Sequence, residues 1–394
     1  MSNKINLIFM GGFTYPHGMA GTRRIQHAID ALKEKDGVSI RVLVLRQSTQ
    51  MDNPSGMHES VPYATMVCDV TGARIFTALP LLYVKTSVDL KRSWRADCKN
   101  IIYYYGSVNA ENVVPLYYAH HLGYMIVFDI VEDLRLAINI SCNPFHKVKM
   151  VLMRILESRL IKLASGIIVI SSHLENKFRM LCSERLPIHF RPISINMRHF
   201  LCDPQKLGRA TTLFYSGSFG QKDGLSILLD AFDKLAERWP DIRLVLSGKG
   251  NGEAMNAFYA RVTQSPHKEK INYRGYLSDD EYYSVLNSAD IPCVTRIDSG
   301  YACAGFPFKL GEFLATGKPV IVSRVSDVDR FLVHKHNAML VKAGSSNEIY
   351  GAVEFLINNP NVAEAIGRRG REAADSFFDH KKQGKTLIRF LENI

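Results

Sequence analysis

Short apolar segments alternate with amphipathic helical segments along most of the chain, and this alternation constrains the fold more than any other feature. Such an alternation is typical of parallel sheets built from βαβ units. Before residue 171, the predicted strands are 5–10, 40–45, 101–105, 125–130 and 166–170, and the helical stretches include 22–35, 110–122 and 147–163. The sequence therefore predicts an α/β fold with doubly wound sheets.

The alternation restarts after residue 210. The predicted strands there are 212–215, 243–246, 271–273, 291–294, 319–322 and 338–341, and the helices are 225–238, 279–289, 308–315, 346–358, 362–375 and 380–393. A chain of 394 residues is long enough for two domains. We expect a first domain at 1–198, a linker at 199–209, a second domain at 210–376 and a C-terminal helix at 377–394 that packs back on the first. Ligands of such folds bind at the carboxyl ends of the strands, in the crevice between the halves.

The cysteines and the apolar segments bear on the cellular compartment. The seven cysteines are scattered and none belongs to a C-x-x-C pair, which fits neither a disulfide framework nor a zinc site. The first apolar run is short and no small-residue cleavage site follows it, so we expect no secretory signal. No segment approaches the ~18 apolar residues of a membrane span. The sequence therefore predicts a cytoplasmic protein.

The net charge of +11 is distributed unevenly. Residues 1–200 carry 24 Lys and Arg against 15 Asp and Glu, whereas residues 201–394 carry 25 against 23. The excess predicts a weak, salt-sensitive attraction of the first half to anionic membranes. No recognisable DNA- or RNA-binding module accompanies it, so a nucleic-acid partner is not expected.

Two apolar segments of the first half leave a choice between membrane contact and core packing. The stretch 147–163 carries an apolar helix face beside several basic residues, and 76–84 is apolar over almost its whole length. Basic amphipathic helices lie at membrane surfaces, but most apolar helix faces pack on a core. Core packing is the favoured interpretation of both segments.

The segment 304–321, AGFPFKLGEFLATGKPVI, is the most informative part of the sequence. Its first residues form a Gly-containing loop that opens a helix, and the backbone N–H groups of a helix N-terminus suit a diphosphate or sugar hydroxyls. Glu312 lies further along the same helix, where its carboxylate is able to accept hydrogen bonds from a ribose diol. The residues Gly317-Lys318-Pro319 end the helix and start a buried strand.

This segment resembles the donor-binding segment of glycosyltransferase family 4, the retaining nucleotide-sugar-dependent enzymes of GT-B fold, in which two Rossmann-like domains face a central cleft. The resemblance implies that Glu312 binds the ribose and that Gly305 and Phe306 meet the donor sugar through their backbone. Family members carry a second glutamate toward the donor sugar, and Ala304 stands at that position here. Lys309 has two possible roles: its side chain either reaches the phosphates or is simply solvated.

The resemblance covers nearly the whole chain. The segment 214–224 resembles the first strand and Gly-rich turn of the donor domain, which implies that Gly217 and Ser218 contact the donor and that Lys222 neutralises the diphosphate. The segment 272–277 resembles the loop whose main chain meets the nucleobase, and it contains Gly275 and Tyr276.

In the first half, a Gly-rich segment follows the first strand and opens a helix. Gly12 and Gly21 lie in this segment, from which family members face the diphosphate and the acceptor. Glycines let the backbone approach a phosphate closely. Arg23 or Arg24 is able to add positive charge at the same place. A flexible surface loop is the alternative interpretation.

Two adjacent carboxylates, Glu132 and Asp133, follow the strand that ends at residue 130. Carboxylates at the carboxyl end of a strand are rarely placed for packing. Both are candidate catalytic residues that bind or orient the acceptor hydroxyl. Ser171 follows the next strand and resembles a cleft-facing serine of the family, although helix capping explains it equally well.

The sequence Asp327-Val328-Asp329 has the D-x-D form of metal-dependent transferases of the GT-A fold. It lies in a predicted loop of the second half, so we interpret it as unrelated to catalysis. We expect no metal and no cofactor, with the nucleoside-diphosphate-sugar as co-substrate.

These features predict a metal-independent, hexosyltransferase-type glycosyltransferase that moves a sugar with retention from a nucleoside-diphosphate-sugar to an acceptor hydroxyl. The expected acceptor is a glycan or a lipid-linked glycan of bacterial surface-polysaccharide assembly, met in the cytoplasm or at the inner face of the cell membrane. Two alternatives stay open. One is a nucleotide-sugar epimerase of the same fold, and the other is a non-catalytic nucleotide-sugar-binding protein, which the residue Ala304 makes conceivable.

Overall fold

The computed structural model describes residues 4–51, 53–72, 74–106, 108–137, 144–200 and 210–394. The chain divides into two compact units. Unit 1 is formed by Met1–Pro192 together with His380–Ile394, and unit 2 by Ile193–Asp379. Most of the predicted linker, residues 201–209, lies outside the described residues.

The strands of unit 1 form one sheet. They are β1 (Ile5–Gly11), β2 (Val38–Arg46), β3 (Ser55–His58), β4 (Val61–Val67), β5 (Lys99–Tyr105), β6 (Met125–Ile130), β7 (Ala164–Val169) and β8 (Ile188–Phe190). Their order is β3-β4-β2-β1-β5-β6-β7-β8. Neighbouring strands are parallel, except that β3 pairs antiparallel with β4.

Helices cover both faces of this sheet. They are α1 (Ala20–Leu32), α2 (Arg74–Ser93), α3 (Ala110–His121), α4 (Leu134–Ala137), α5 (Pro144–Leu160), α6 (Ser172–Leu181) and, at the end of the chain, α15 (His380–Asn393). Successive side chains of a strand point to opposite faces. Tyr103 of β5 therefore joins the core under α1 and α15, whereas its neighbour Tyr104 accepts a hydrogen bond from Asn112 of α3 at 2.5 Å.

The last helix belongs to unit 1 although its sequence follows unit 2. α15 packs on α1, and its residues Leu387, Ile388 and Leu391 join the core that α1 covers. Gly384 allows the close approach of the two helices, because a Cβ at this position would lie 2.4 Å from the Cβ of Ala31.

The strands of unit 2 form a second, parallel sheet. They are β9 (Thr212–Gly217), β10 (Arg243–Gly248), β11 (Ile271–Tyr273), β12 (Ile291–Val294), β13 (Ile321–Ser323) and β14 (Met339–Val341). The helices are α7 (Leu225–Arg238), α8 (Gly252–Thr263), α9 (Asp279–Ser288), α10 (Gly300–Ala304), α11 (Phe308–Ala315), α12 (Val328–Phe331), α13 (Ser346–Asn358) and α14 (Pro360–Phe377).

The strand order of unit 2 is β11-β10-β9-β12-β13-β14. The chain moves outward in one direction from β9 to β11 and then restarts on the other side of β9 with β12. Crevices that bind ligands form at such a reversal, at the carboxyl ends of the strands. The ends of β9 and β12 therefore mark the expected ligand position of unit 2. The core beneath is built by helices such as α7, which buries Leu225, Leu228, Phe232 and Leu235 at helical spacing.

The predicted strands are all present, and the predicted doubly wound α/β class is confirmed. The predictions from sequence do not include β3, β4, β8, α2, α4, α6, α8, α10 and α12. β3 is largely exposed, and β8 has only three residues, all half-buried, so neither carries a strong apolar pattern. Pro80 lies inside α2, where a proline argues against a helix.

The core packing expected for two apolar segments is wrong for most of their apolar side chains. The apolar face of α5 is exposed at Val148, Val151, Leu152 and Ile155. In the segment 76–84, which begins in the first turn of α2, Phe76, Leu81 and Val84 are exposed and Leu82 is buried. None of the described helices is long and apolar enough to span a membrane.

Candidate functional site

The Glu312 carboxylate lies inside unit 2, on the buried face of α11. Its side chain is only 8% exposed, and its Oε2 accepts a hydrogen bond from the Tyr282 hydroxyl at 2.6 Å. The ammonium of Lys309, one turn earlier on α11, donates to the same oxygen at 3.2 Å. Lys309 Nζ also lies 3.8 Å from the centre of the Tyr282 ring. These three side chains are called the Glu312 cluster below.

Packing holds the Glu312 cluster in place. Tyr282 is buried on the inner face of α9, one turn before the buried Leu286. Phe214 of β9 packs against both Tyr282 and Phe313, with ring centres 6.2 and 5.7 Å apart. A hydrogen bond to an ionised carboxylate is strong and directional, so the phenol fixes the orientation of the Glu312 carboxylate. Lys309 is paired with this carboxylate and is not simply solvated.

The side chains of the loop before α11 are buried in unit 2. The Phe306 side chain is 1% exposed, and its ring packs against Phe331 and Phe378 with centres 5.6 and 5.9 Å apart. Ala304, at the end of α10, is equally buried. A larger, charged side chain at this position would enter the interior of unit 2, which gives a physical reason for the small residue.

Lys222 lies in the Gly-rich turn that follows β9. Its Nζ is 4.6 Å from the centre of the Tyr301 ring on α10. In the same turn, the Ser218 hydroxyl donates to the Asp223 carboxylate at 2.5 Å, so Asp223 braces the turn. The structure thus brings Lys222 next to α10, the helix that leads into Gly305, at the strand-order reversal of unit 2.

The loop after β11 lies beside the same turn. The Gly275 carbonyl accepts a hydrogen bond from the N–H of Gly248 at 2.8 Å, and Gly275 has φ +70°. A Cβ on Gly248 would lie 1.9 Å from the carbonyl oxygen of Gly217. The carboxyl ends of β9, β10 and β11 therefore approach one another closely through glycines. Tyr276 follows in this loop and is exposed.

The structure corrects the expectation that Arg24 faces a diphosphate. The Arg24 side chain is 1% exposed, and its Nε and Nη2 donate to both oxygens of Asp129 at 2.7 and 2.8 Å. Its remaining N–H groups donate to the carbonyls of Pro192 and Arg191, and Tyr103 donates its hydroxyl hydrogen to Asp129. This buried ion pair holds the interior of unit 1 together, and the guanidinium does not reach the surface.

The other residues of the N-terminal Gly-rich segment lie nearer the surface. Gly12 is exposed at the end of β1, and Arg23 is half-buried at the start of α1. A Cβ on Gly21 would lie 2.8 Å from the Tyr105 ring, so packing explains this glycine. A Cβ on Gly12 would meet nothing within 4 Å, and packing does not explain that one.

Asp133 is the centre of a buried charged group in unit 1. Its side chain is 1% exposed, and its oxygens lie 3.0 Å from Arg135 Nη2, 3.1 Å from His173 Nε2 and 3.0 Å from Lys177 Nζ. Lys177 also contacts Glu157 at 3.3 Å. Burial alone raises the pKa of Asp133, but the hydrogen bonds from Arg135, His173 and Lys177 lower it well below its usual range. These five side chains are called the Asp133 cluster.

Glu132 differs from its neighbour because its side chain is exposed. It lines a pocket at the carboxyl ends of β5 and β6, together with Tyr105, Phe128 and Glu157. Burial raises the pKa of Glu157. Of the two adjacent carboxylates, Glu132 is thus exposed at a pocket, whereas Asp133 is enclosed by the side chains of Arg135, His173 and Lys177.

Ser171 and the D-x-D sequence have local roles in the structure. Ser171 is fully buried, and its hydroxyl accepts a hydrogen bond from the N–H of Leu174 at the start of α6, which is the capping role that the sequence left open. Asp329 forms an ion pair with Arg324. In the part of the chain that the structure describes, no group of three or more His, Cys, Asp or Glu is placed to hold a metal ion.

Sequence reasoning missed several residues of the two clusters. Tyr282 lies 30 residues before its partner Glu312. His173 and Lys177 lie four residues apart on α6 and therefore share one helix face. That spacing was a usable signal for a joint role, but no local pattern connects them with Asp133, 44 residues before Lys177.

Part of the chain is similar to a known protein family. Residues 203–373 match the model of a family described as "Glycosyl transferases group 1". The matched range contains the Glu312 cluster, the Gly-rich turn with Lys222 and the loop with Gly275.

Curated relatives are about one quarter identical to this chain over the residues that align. A phosphatidyl-myo-inositol mannosyltransferase of Mycobacterium leprae is 26% identical over 207 residues, which is 52% of this chain and 53% of that protein. The uncharacterized glycosyltransferase MJ1178 of Methanocaldococcus jannaschii is 24% identical over 166 residues, 41% of this chain and 43% of that protein. The chain spans about half the length of these relatives.

Solved structures resemble the chain over almost its full length. Sucrose-phosphate synthase (tll1590) from Thermosynechococcus elongatus matches with a TM-score of 0.76 at 15% identity, covering 98% of both chains. Anabaena Alr3699/HepE in complex with UDP and glucose matches with a TM-score of 0.71 at 14% identity, covering 98% of this chain and 99% of that one. At this identity the likeness shows the fold, and it confirms the predicted GT-B fold.

Proposed function

We propose that this protein is a retaining glycosyltransferase that moves a sugar from a nucleoside-diphosphate-sugar to an acceptor hydroxyl. The observation that carries the proposal is the Glu312 cluster, a buried and oriented carboxylate inside the segment that matches group 1 glycosyltransferases. The chain also shares its fold with Anabaena Alr3699/HepE, which was solved with UDP-glucose. That likeness supports a nucleotide-sugar as the donor class.

In the proposed donor site, the Glu312 carboxylate accepts hydrogen bonds from the ribose diol. Tyr282 and Lys309 donate to Oε2 and thereby hold the carboxylate in one orientation. A preoriented acceptor loses little conformational entropy on binding, so more of the interaction contributes to affinity. The backbone around Gly275 is proposed to meet the nucleobase, because it lies at the carboxyl ends of β10 and β11 beside the Gly-rich turn.

The leaving diphosphate needs positive charge as its bond to the sugar breaks. Lys222 is the proposed source in unit 2, helped by the backbone N–H groups around Gly305 and the start of α11. In unit 1, Arg23 remains a proposed phosphate-facing residue, and Gly12 a position of close backbone approach. These groups of the chain supply the charge without a divalent cation. Chelation with EDTA is therefore expected to leave transfer unchanged, and loss of transfer restored by Mg²⁺ or Mn²⁺ would contradict this.

The acceptor is proposed to bind through the pocket that Glu132 lines in unit 1. Glu132 presents a carboxylate to this pocket, where it is able to orient an acceptor hydroxyl or take its proton. The Asp133 cluster holds the segment around Glu132 in place. We propose a glycan or lipid-linked glycan as the acceptor, in the assembly of a bacterial surface polysaccharide, and a hexose as the transferred sugar.

One observation favours a second candidate function. Ala304 stands where the family resemblance places a glutamate toward the donor sugar, and its side chain is buried. A protein that binds nucleotide-sugars without transferring them would tolerate that loss. Donor hydrolysis in the absence of acceptor separates the two, since a non-catalytic binder releases no free sugar.

Calorimetric titration with UDP-, GDP-, ADP- and dTDP-sugars tests the proposed function. One class is expected to bind with clear preference, and the preferred donor then serves in a transfer assay with product analysis by NMR. An α-linked product from an α-linked donor supports retention. Failure of all four classes to bind the folded protein would overturn the proposal, and a donor epimerised without acceptor would favour an epimerase.

A further inference from the structure

An exposed apolar surface lies on three helices of unit 1. It is clearest on α5, where Val148, Val151, Leu152 and Ile155 are spaced as one helical stripe and are 45–69% exposed. The side of α5 that faces the protein carries Met150, Glu157 and Leu160, which are buried. The exposed stripe is therefore a second apolar face, in addition to the one that packs on the unit.

The neighbouring helices continue this surface. α3 contacts both α2 and α5, so the three helices lie side by side. On α2, Leu81, Val84 and Val88 form an exposed stripe, while Leu82, Thr86 and Leu90 are the residues buried against the unit. On α3, Val114 and Tyr117 are exposed one turn apart. Together these stripes of α2, α3 and α5 are called the apolar face.

Charges on the three helices are sorted between inside and outside. Each described acidic side chain is turned toward the unit and paired there: Asp89 with Arg41, Glu111 with Arg46 and Glu157 with Lys177. The exposed charged side chains are all basic, namely Arg74, Lys85, Lys91, Arg92, Arg154 and Arg159. Among the described residues, none of these six basic side chains forms an ion pair with an acidic one, so the surface combines exposed apolar stripes with positive charge.

We propose that the apolar face docks on the surface of an anionic phospholipid bilayer. Helices that carry an apolar stripe flanked by Lys and Arg lie in the plane of the interface, with the stripe at the boundary between headgroups and acyl chains. The long basic side chains reach the lipid phosphates from the edges of the stripe. A monomeric protein rarely exposes large contiguous apolar surface without a partner. The positive charge selects an anionic surface as that partner.

This attachment is more than electrostatic. Salt screens the attraction between the basic side chains and lipid headgroups, but it does not weaken the burial of apolar side chains. Binding is therefore expected to fall with salt and to retain a salt-resistant part, in contrast to the purely charge-driven association that the sequence predicts. The inference does not depend on the proposed transfer reaction, because it involves neither the Glu312 cluster nor Glu132.

Co-sedimentation of the full-length protein with vesicles tests the inference. One vesicle preparation contains phosphatidylcholine alone and the other contains added phosphatidylglycerol. The variant Val151→Ser, Leu152→Ser, Ile155→Ser removes the centre of the α5 stripe and is expected to lower the partition coefficient by about tenfold or more on anionic vesicles, at low and at high salt. All three positions are exposed, so circular dichroism and thermal unfolding are expected to match the wild type.

A charge variant and two controls complete the test. Lys85→Gln, Lys91→Gln and Arg92→Gln are expected to lower binding to anionic vesicles by about fivefold each, and only at low salt. The control Val333→Ser, Val362→Ser changes exposed valines of unit 2, and Lys385→Gln changes a basic residue of α15, on the other side of the unit 1 sheet. Both controls are expected to bind as the wild type does.

Three results would overturn the inference. In the first, the wild type binds neither vesicle preparation. In the second, the serine variant binds anionic vesicles as tightly as the wild type does. In the third, the wild type binds neutral and anionic vesicles equally well. Sedimentation velocity tests whether a second copy of the chain, instead of a membrane, binds the apolar face. If the wild type is a dimer and the serine variant a monomer, the apolar face is an interface between two copies of the chain, which also contradicts membrane docking.

Discussion

The two units each bury a carboxylate, but they surround it differently. Asp133 of unit 1 is held by three basic side chains, Arg135, His173 and Lys177. Glu312 of unit 2 is held by the neutral phenol of Tyr282 and by one ammonium, that of Lys309, whose side chain is 32% exposed. Burying a carboxylate is costly unless other groups compensate its charge. Three side chains share this task around Asp133, and Lys177 also compensates Glu157, whereas around Glu312 it falls to one ammonium and one neutral hydroxyl.

This difference separates a structural carboxylate from a binding one. The hydrogen bonds around Asp133 stabilise its ionised form so strongly that it has little tendency to accept a proton from a ligand. Glu312 is oriented by the hydroxyl of Tyr282 and the ammonium of Lys309, which suits a group that receives hydrogen bonds from a ligand. Burial alone does not distinguish the two residues, but the charge of their described partners does.

The largest expected effect comes from Asp133→Asn. The substitution leaves Lys177 buried with only Glu157 as its described acidic partner, and loss of one member of a buried ion pair costs about 3–5 kcal/mol. The free energy of unfolding, measured by urea denaturation, is expected to fall by that amount. Glu132→Gln is the matched control, since it changes the adjacent exposed carboxylate and is expected to alter stability by no more than about 0.5 kcal/mol. Equal stability of the two variants would remove the contrast between the clusters.

The pH dependence of unfolding sharpens the same comparison. Because the pKa of Asp133 is lowered in the folded state, its contribution to stability is present above the unfolded pKa of about 3.9 and is lost as the pH falls through the folded value. Glu157, whose pKa burial raises, contributes with the opposite sign. The stability difference between wild type and Asp133→Asn is therefore expected to be constant near neutral pH and to shrink below about pH 4. A difference that grows on acidification would contradict the assignment.

Glu312→Gln tests the other side of the comparison. The substitution keeps the shape of the side chain but replaces an ionised acceptor with a neutral amide. Hydrogen bonds to charged groups contribute roughly 1.5–3 kcal/mol, so the affinity for the nucleotide should fall about ten- to a hundredfold. Calorimetric titration of the folded variant measures its affinity for the nucleotide. Unchanged nucleotide affinity would contradict the ribose-binding role of Glu312.

Tyr282→Phe is expected to have a smaller effect on the same affinity. The variant keeps the buried ring and removes only the hydroxyl that orients Glu312 at 2.6 Å. The loss of one such hydrogen bond corresponds to about 1 kcal/mol, or roughly fivefold in affinity. Tyr283→Phe, on the same helix, is the control for a hydroxyl with no described bond to Glu312. If Tyr282→Phe weakens binding as much as Glu312→Gln, the phenol contacts the nucleotide itself.

Glu132→Gln is expected to have an effect of similar size to that of Tyr282→Phe, but on sugar transfer. If Glu132 orients the acceptor hydroxyl, its loss should lower transfer by about three- to tenfold, corresponding to one hydrogen bond, and leave nucleotide affinity unchanged. A larger loss, on the order of a hundredfold or more, would instead indicate proton abstraction by Glu132. Equal loss of transfer and of nucleotide affinity would place the residue at the donor.

Several features of the fold followed directly from local sequence patterns. The strands of both sheets are apolar runs, and the helices between them show apolar residues at helical spacing, so both could be located without tertiary information. Some of the elements that were missed lack this signal: β3 is exposed, and α2 contains Pro80. The wrong expectation for α5 has a different cause. Helical periodicity identifies an apolar stripe, but it does not say whether the stripe faces the sheet or the solvent.

The sequence by itself determined the two series of strands and helices and the segment that carries Glu312, because both depend on residues close together in the chain. Only the tertiary structure decided what surrounds each functional side chain. It enclosed Arg24 with Asp129, 105 residues away, joined Tyr282 to Glu312, and turned the acidic residues of α2, α3 and α5 inward. Such pairings depend on strand order and helix packing, which bring distant residues together, and no local spacing in the sequence encodes them.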